Sequence, residues 1–172
     1  MGWIIPVKKK ITTRRKMPRQ KPGLSEQSVG TPWEFIDAVE ERYGPLTIDL
    51  ASDKENAKAP MWIPPERDSL KVKWAHSYKG NMWLNPEFGS IPLWARKCAR
   101  EWKRLRTGDR IFLLVPASIG AHWFWDYVYG KALVLPLSPR LTFVGHKHPY
   151  PKDLMLCVYG EKPGLERWGW KT

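Results

Sequence analysis

Asn81-Met82-Trp83-Leu84-Asn85-Pro86-Glu87-Phe88-Gly89 is the stretch around which the rest of the chain organises. Met82, Trp83 and Leu84 form a short apolar run that reads as a buried strand. A polar tetrapeptide, Asn85-Pro86-Glu87-Phe88, follows directly. Asn85 offers a carbonyl acceptor and an amide donor. Pro86 fixes its own φ and pushes Asn85 toward an extended conformation. That aims the amide and leaves the Pro86 carbonyl without a helical partner. Phe88 adds a flat aromatic face. Such a group at a strand exit suits gripping a planar polar molecule. Taken alone, it equally suits a turn opened by Asn-Pro with a core aromatic behind it, so the flanking sequence decides.

Upstream, Thr31-Pro32-Trp33-Glu34 has the pattern of a helix start: a capping hydroxyl, a proline at the first position and an acid three residues after the cap. Phe35, Ile36, Val39 and Tyr43 then share one helical face, and Gly44-Pro45 ends the helix. Residues 46–50 read as a buried strand leading into Asp49-Leu50-Ala51-Ser52. Pro60, Pro64 and Pro65 break up the next stretch, leaving a brief strand at 61–63 and then loop. Downstream, residues 92–106 predict a helix. Its inner face carries Trp94, Cys98, Trp102 and Leu105; Arg96, Arg100, Lys103 and Arg104 make a basic outer face that reads first as solvated and second as phosphate-contacting. Gly108-Asp109 turns into Ile111-Phe112-Leu113-Leu114-Val115, a continuous apolar run typical of a central parallel strand, and Pro116-Ala117-Ser118 ends it. A helix at 121–129, anchored by Trp123, Phe124 and Tyr127, precedes three closing strands at 132–137, 140–144 and 153–159.

Strands alternating with helices predict an α/β fold with a mainly parallel sheet. In such sheets ligands bind beyond the carboxyl ends of the strands. The exits at 49–52, 85–88 and 116–118 all lie at such ends. Their convergence along one edge would make the Asn85 stretch a site rather than a turn. The chain divides into a basic N-terminal segment at 1–30, whose composition predicts a mobile tail, a domain at 31–160 and a C-terminal tail at 161–172.

The 172 residues, 42% hydrophobic with a mean hydropathy of −0.49, are enough for one domain with a substantial core. No apolar run is long enough to span a membrane and no apolar leader is visible. The two cysteines, Cys98 and Cys157, make neither a disulfide framework nor a metal cluster and read as core residues. These features fit a reducing, intracellular setting. His146 and His148 lack further ligand partners, so no metal is expected. His122 reads as a partly buried histidine, Ser118 has no His/Asp arrangement to activate it, and no glycine-rich phosphate loop is present. Asp53, Glu55 and Asp68 have no specific spacing and are assigned to the surface or to a ligand pocket.

Charge points to a partner. The net charge is +12, and eight of the basic residues lie within residues 1–25 with no acid among them. They are Lys8, Lys9, Lys10, Arg14, Arg15 and Lys16, followed by Arg19 and Lys21. A polyanion is the natural partner, nucleic acid first. Tryptophan serves both in cores and in stacking on bases, and with eleven of them most must be core.

With those exits placed, the chain resembles the small phage-type DNA N6-adenine methyltransferases, a branch of the S-adenosylmethionine-dependent amino-methyltransferases. The matching features run in order from residue 31 to about 159. They are Thr31-Pro32-Trp33 before a helix; Ile48-Asp49-Leu50-Ala51-Ser52 with Glu55-Asn56-Ala57-Lys58; the Met82 to Phe88 stretch; Trp94 and Lys97; Leu113-Leu114-Val115-Pro116-Ala117 with Trp123-Phe124; and Arg140-Leu141-Thr142-Phe143. The resemblance implies an abridged Rossmann-like methyltransferase fold, with a mainly parallel sheet and antiparallel C-terminal strands. It implies S-adenosylmethionine as cofactor and the N6 amino group of adenine in double-stranded DNA as substrate. Asn85, Pro86, Glu87 and Phe88 match its Asn/Asp-Pro-Pro-Tyr/Phe catalytic motif. Thr31, Pro32, Asp49, Ala51 and Ser52, with Asn85, would line the methyl donor. Lys8, Lys9, Lys10, Arg14, Arg15, Lys16 and Arg140 would contact nucleic acid.

The chain departs from that family pattern in three ways. Glu87 replaces the second proline of the motif. The segment after Asp49 lacks a glycine-rich turn. Only 36 positions separate Asp49 from Asn85, too few for a full set of intervening strands and helices. No separate target-recognition domain is evident, so DNA reading falls to the basic tail, to loops at 60–80 or to a second subunit in a homodimer. Two other functions fit the same residues: a methyltransferase-like DNA-binding protein whose chemistry Glu87 has switched off, and an RNA N-methyltransferase. Deleting residues 2–24 should weaken binding to DNA and flatten its salt dependence, because counterion release scales with phosphate contacts. An unchanged slope of log Kd against log salt would exclude the tail from the interface.

Overall fold

In a computed structural model, residues 30–171 are described; the basic residues Lys8, Lys9, Lys10, Arg14, Arg15 and Lys16 lie outside the described residues. Helix α1 (Trp33–Tyr43) leads to strand β1 (Leu46–Asp49), a two-residue β2 (Met61–Trp62), a single-turn helix α2 (Trp74–Ser77) and strand β3 (Asn81–Leu84). Helix α3 (Ile91–Trp102), strand β4 (Arg110–Pro116) and helix α4 (His122–Tyr127) follow. Strands β5 (Ala132–Ser138), β6 (Leu154–Tyr159), β7 (Gly164–Leu165) and β8 (Trp168–Gly169) complete the fold.

The strands form one sheet in the order β2-β1-β3-β4-β6-β5-β7, with β8 also beside β5. Strands β1 to β4 pair in parallel. Strand β6 inserts antiparallel between β4 and β5, and β7 and β8 run parallel to β5. This is the abridged, mainly parallel Rossmann-like sheet that the sequence implies. Among the C-terminal strands only β6 is antiparallel, because β5 returns to the direction of β4.

Both faces of the sheet are covered, which is why the central strands are apolar throughout. Successive side chains alternate between the faces. On β4, Ile111, Leu113 and Val115 join Trp74, Ala95, Cys98 and Phe124 on the α3–α4 side. Phe112 and Leu114 join Phe35, Ile36, Val39 and Trp83 on the α1 side. Cys98 and Cys157 are both free thiols in the core, and burial pushes each thiol up.

Two expected elements differ. Residues 140–144 form no strand. Leu141 and Phe143 are buried, but β5 already has β6 on one side and β7 and β8 on the other, so no ladder edge remains for them. The segment from 161, expected as a tail, supplies β7 and β8, and Trp170 is buried against Phe35 with ring centroids 5.1 Å apart. Helix α3 ends at Trp102 rather than 106, where the Arg104 and Leu105 amides bond only three residues back. No helix among the described residues is long and apolar enough to cross a membrane.

Asn81 is the joint between α1, β1 and β3. Its Nδ2 donates to the carbonyls of Tyr43, Gly44 and Pro45 at 3.0, 3.0 and 3.1 Å. Those carbonyls close the C-terminus of α1, where Gly44 takes a φ of 88° that other residues rarely adopt. Asn81→Ala strands these carbonyls, and the unfolding free energy should fall by about 1–3 kcal/mol. Urea denaturation with an unchanged slope and a lower midpoint is the expected readout; an unchanged midpoint would mean that the turn holds itself.

Candidate active site

Strand order reverses between β1 and β3, since β1 leads outward to β2 and the chain re-enters on the other side as β3. Carboxyl ends that diverge in this way leave a crevice. A cavity of about 380 Å³ opens there, between the exits of the two strands and the loop that follows β2.

Asp49, the last residue of β1, shapes its floor. The residue is buried. Its Oδ1 accepts from the Ala51 amide at 3.2 Å and its Oδ2 from the Lys58 amide at 3.0 Å. One carboxylate therefore holds both ends of the 51–58 loop. Asp53 caps the turn inside that loop by accepting from the Asn56 amide at 2.9 Å. The loop brings Lys58 into the cavity, with its Nζ 4.5 Å from the centre of the Trp33 ring. Burial lowers the Lys58 ammonium, against the opposing charge of Asp49.

Asn85 sits one residue beyond β3. Its Nδ2 donates to Thr31 Oγ1 at 3.2 Å. This explains why Thr31, although buried, does not cap α1: Pro32 holds the cap position and no side chain bonds there. The Thr31 hydroxyl orients the Asn85 amide instead, nitrogen toward Thr31 and oxygen on the other limb. Pro86 is buried beside it and Glu87 is exposed. No donor among the described residues takes the Pro86 carbonyl.

The opposite wall is the segment 63–70. Asp68 adopts a left-handed conformation, φ 44°, between two 3₁₀ turns, a conformation that non-glycine residues adopt at a cost. The wall is braced from behind. Trp74 Nε1 donates to the Ser69 carbonyl at 3.0 Å, and its ring stacks on Trp94, 13° from parallel. Lys97 Nζ donates to the Val72 carbonyl at 2.7 Å and pairs with the buried Glu101 at 2.8 Å. Glu101 in turn accepts from the Ala75 amide at 2.9 Å.

Thr31, Asp49, Ala51, Ser52, Asn85, Pro86 and Glu87 thus line one cavity. Pro32 starts α1 rather than facing it. Phe88 stands beside the cavity, edge-on to Phe143 and Tyr150 at centroid distances of 6.2 and 5.6 Å. The third expected exit, 116–118, does not join: the Ala117 amide bonds to the Asp153 carbonyl and the segment borders a separate recess with Arg140. Arg140 itself pairs with Asp153 at 2.8 Å. His122, expected to be partly buried, is exposed. Lining residues that the sequence reading did not single out include Ser69, Leu70 and Ser90; the paired prolines before Asp68 are the available signal for that wall. Among the described residues no group of three potential metal ligands converges.

The charge of the cavity is opposite to that of the chain. Asp49, Asp53, Asp68 and Glu87 face it, against Lys58 alone. Such a lining favours a cationic guest and disfavours a phosphate.

The profile of the DNA N-6-adenine-methyltransferase (Dam) family matches residues 24–153. The chain belongs to this family. The matched span contains every lining residue of the cavity but stops just before β6, the strand that joins β4 to β5. A DNA N-6-adenine-methyltransferase of Escherichia phage T1 is 26% identical over 137 residues, covering 80% of this chain and 56% of that protein. The chain therefore spans a little over half the length of this Dam relative. A crystal structure of a predicted O-methyltransferase from Agrobacterium tumefaciens aligns with 51% of this chain and 39% of its own, at 17% identity and a TM-score of 0.30.

Burial raises the Asp49 carboxyl to about 6, although the Lys58 and Ala51 amides and the Lys58 charge pull it down. Its ordinary value is 3.8, so the folded state binds the proton more tightly than the unfolded chain. The contribution of Asp49 is most favourable below about pH 4 and is lost as pH rises through about 6. Measured against Asp49→Asn, the unfolding free energy of the wild type should fall by up to about 3 kcal/mol between those limits. A difference that stays flat across the window would show that the carboxylate is solvated.

Proposed function

We propose that this chain transfers a methyl group from S-adenosylmethionine to the N6 amino group of adenine in DNA. The observation that carries the reading is the acid-lined cavity of a Dam-family chain ending at Asn85-Pro86. The residues fit the donor: four carboxylates suit its positive charges, Lys58 suits its carboxylate, and the cavity volume lies within the range of small-molecule sites. When bound, S-adenosylmethionine supplies an electrophilic methyl group on a sulfonium cation. Asp49, Ala51 and Ser52 from the β1 exit, with Thr31, are the residues that would hold it.

The chain's own task is to make a poor nucleophile attack. The lone pair of the adenine amino group is spread into the ring. The Asn85 side-chain oxygen and the Pro86 carbonyl each accept one amino hydrogen, which favours a pyramidal nitrogen and turns its lone pair into the cavity. Thr31 keeps the amide from rotating, so the acceptor pair is set before the base arrives. Phe88, backed by Phe143 and Tyr150, provides an aromatic wall for a base taken out of its stack. Glu87 places negative charge at the mouth, where the amino group becomes cationic as the N–C bond forms.

Transfer of labelled methyl from S-adenosylmethionine to unmethylated DNA, followed by digestion to nucleosides, tests this. Wild type should label N6-methyldeoxyadenosine, and Asn85→Ala should lose about 100-fold or more in rate while still binding the donor. Retained turnover in Asn85→Ala would place the site elsewhere. Label in Glu87→Pro but not in wild type would make this chain a binding protein whose carboxylate blocks the chemistry. Label in RNA and not in DNA would change the substrate.

A further inference from the structure

Helix α3 leaves the cavity at Ile91 and runs for twelve residues, about 18 Å at 1.5 Å per residue. Its distal half carries a different chemistry. Arg96, Arg100, Lys103 and Arg104 meet Lys131, from the turn before β5, around a groove of about 750 Å³ whose one acid is Asp126. Arg104 also borders a second recess, which it shares with Lys73, His76 and Glu101. The Arg96, Arg100, Lys103 and Arg104 side chains are exposed.

Clustering sets these five apart: Lys54, Arg67, Lys147 and Lys162 also have no carboxylate partner among the described residues, but only these five share one groove. Seven other Lys and Arg side chains each pair with a carboxylate. Among the described residues, none of the five groove cations does. Arg100 has Arg96 one turn before it and Arg104 one turn after it, and like charges at this spacing weaken a helix. A line of cations that repel one another, with Asp126 as the groove's one acid, is matched by an anion whose charges also recur along a line. One small anion would leave most of the groove unfilled.

We propose that this flank of α3 binds the sugar-phosphate backbone of duplex DNA, outside the site where the base reacts. The inference rests on the DNA reading above. Phosphates recur about every 3.4 Å along one strand, a periodic line of negative charge that a line of cations matches. The groove would supply an anchor that does not depend on the basic N-terminal segment.

The test compares the full-length chain with Arg100→Gln/Lys103→Gln, titrating each with a mixed-sequence duplex of about 30 base pairs across a range of potassium chloride. Each phosphate contact contributes about 0.9 to the slope of log Kd against log salt. The double variant should therefore lose between about one and two from that slope and bind several-fold more weakly at low salt, with a melting temperature unchanged or raised. Lys162→Gln/Arg167→Gln removes two exposed cations from the β7–β8 edge and should keep the wild-type slope. Equal losses in both variants would reduce the effect to net charge and overturn the groove. So would a wild-type slope in Arg100→Gln/Lys103→Gln, or a slope lost for single-stranded RNA and kept for duplex DNA. A wild type that methylates DNA while the groove variant keeps its slope refutes this inference alone; a wild type that neither binds nor methylates DNA refutes the methyltransferase reading with it.

Discussion

The two hydrogen bonds from the Ala51 and Lys58 amides to the Asp49 carboxylate are the constraint on which the site depends. A strand that ends in a buried acid has to satisfy that acid or leave it neutral. Here the acid draws the following loop back onto the strand end, and the Ile63 amide then bonds to the Asp49 carbonyl at 2.8 Å. The loop, the start of the 63–70 wall and the β1 side of the cavity are thereby registered on one residue. The bonds offset burial only in part, which is why the carboxyl still titrates high. A cationic guest would complete what the two amides begin.

The two signs of charge are kept apart in space. Carboxylates gather at the carboxyl ends of β1 and β3, and unpaired cations gather on the far half of α3. On the proposed reading, this separation repels the polyanion from the donor pocket while attracting it to the flank. Glu87 extends the acidic region to the pocket mouth. A proline there would leave the boundary closer to Asn85 and allow phosphates a nearer approach.

The apolar strand runs and their polar exits were legible because burial on both faces leaves no choice of residue in a central strand. So were Asp49 and Asn85, whose positions follow from where β1 and β3 end. What escaped was decided by partners distant in sequence. Thr31 reads as a cap, yet its hydroxyl serves Asn85, 54 residues away. Residues 140–144 have strand-like character, yet the edge they would pair with is taken by the chain's last strands. The 116–118 exit looks equivalent to the other two, but insertion of β6 turns it toward Asp153. The 63–70 wall has no periodicity to read; its shape comes from Trp74, Trp94 and the Lys97–Glu101 pair behind it.

The closing strands carry one more consequence. Lys171 Nζ pairs with the Glu34 carboxylate, 137 positions back, and Trp170 covers Phe35. The apolar face of α1 is thus sealed by a segment that lies 137 positions later in the sequence, so this cover forms only when a long loop closes. Cutting the chain before Trp168 would leave every cavity residue in place and open that face to water.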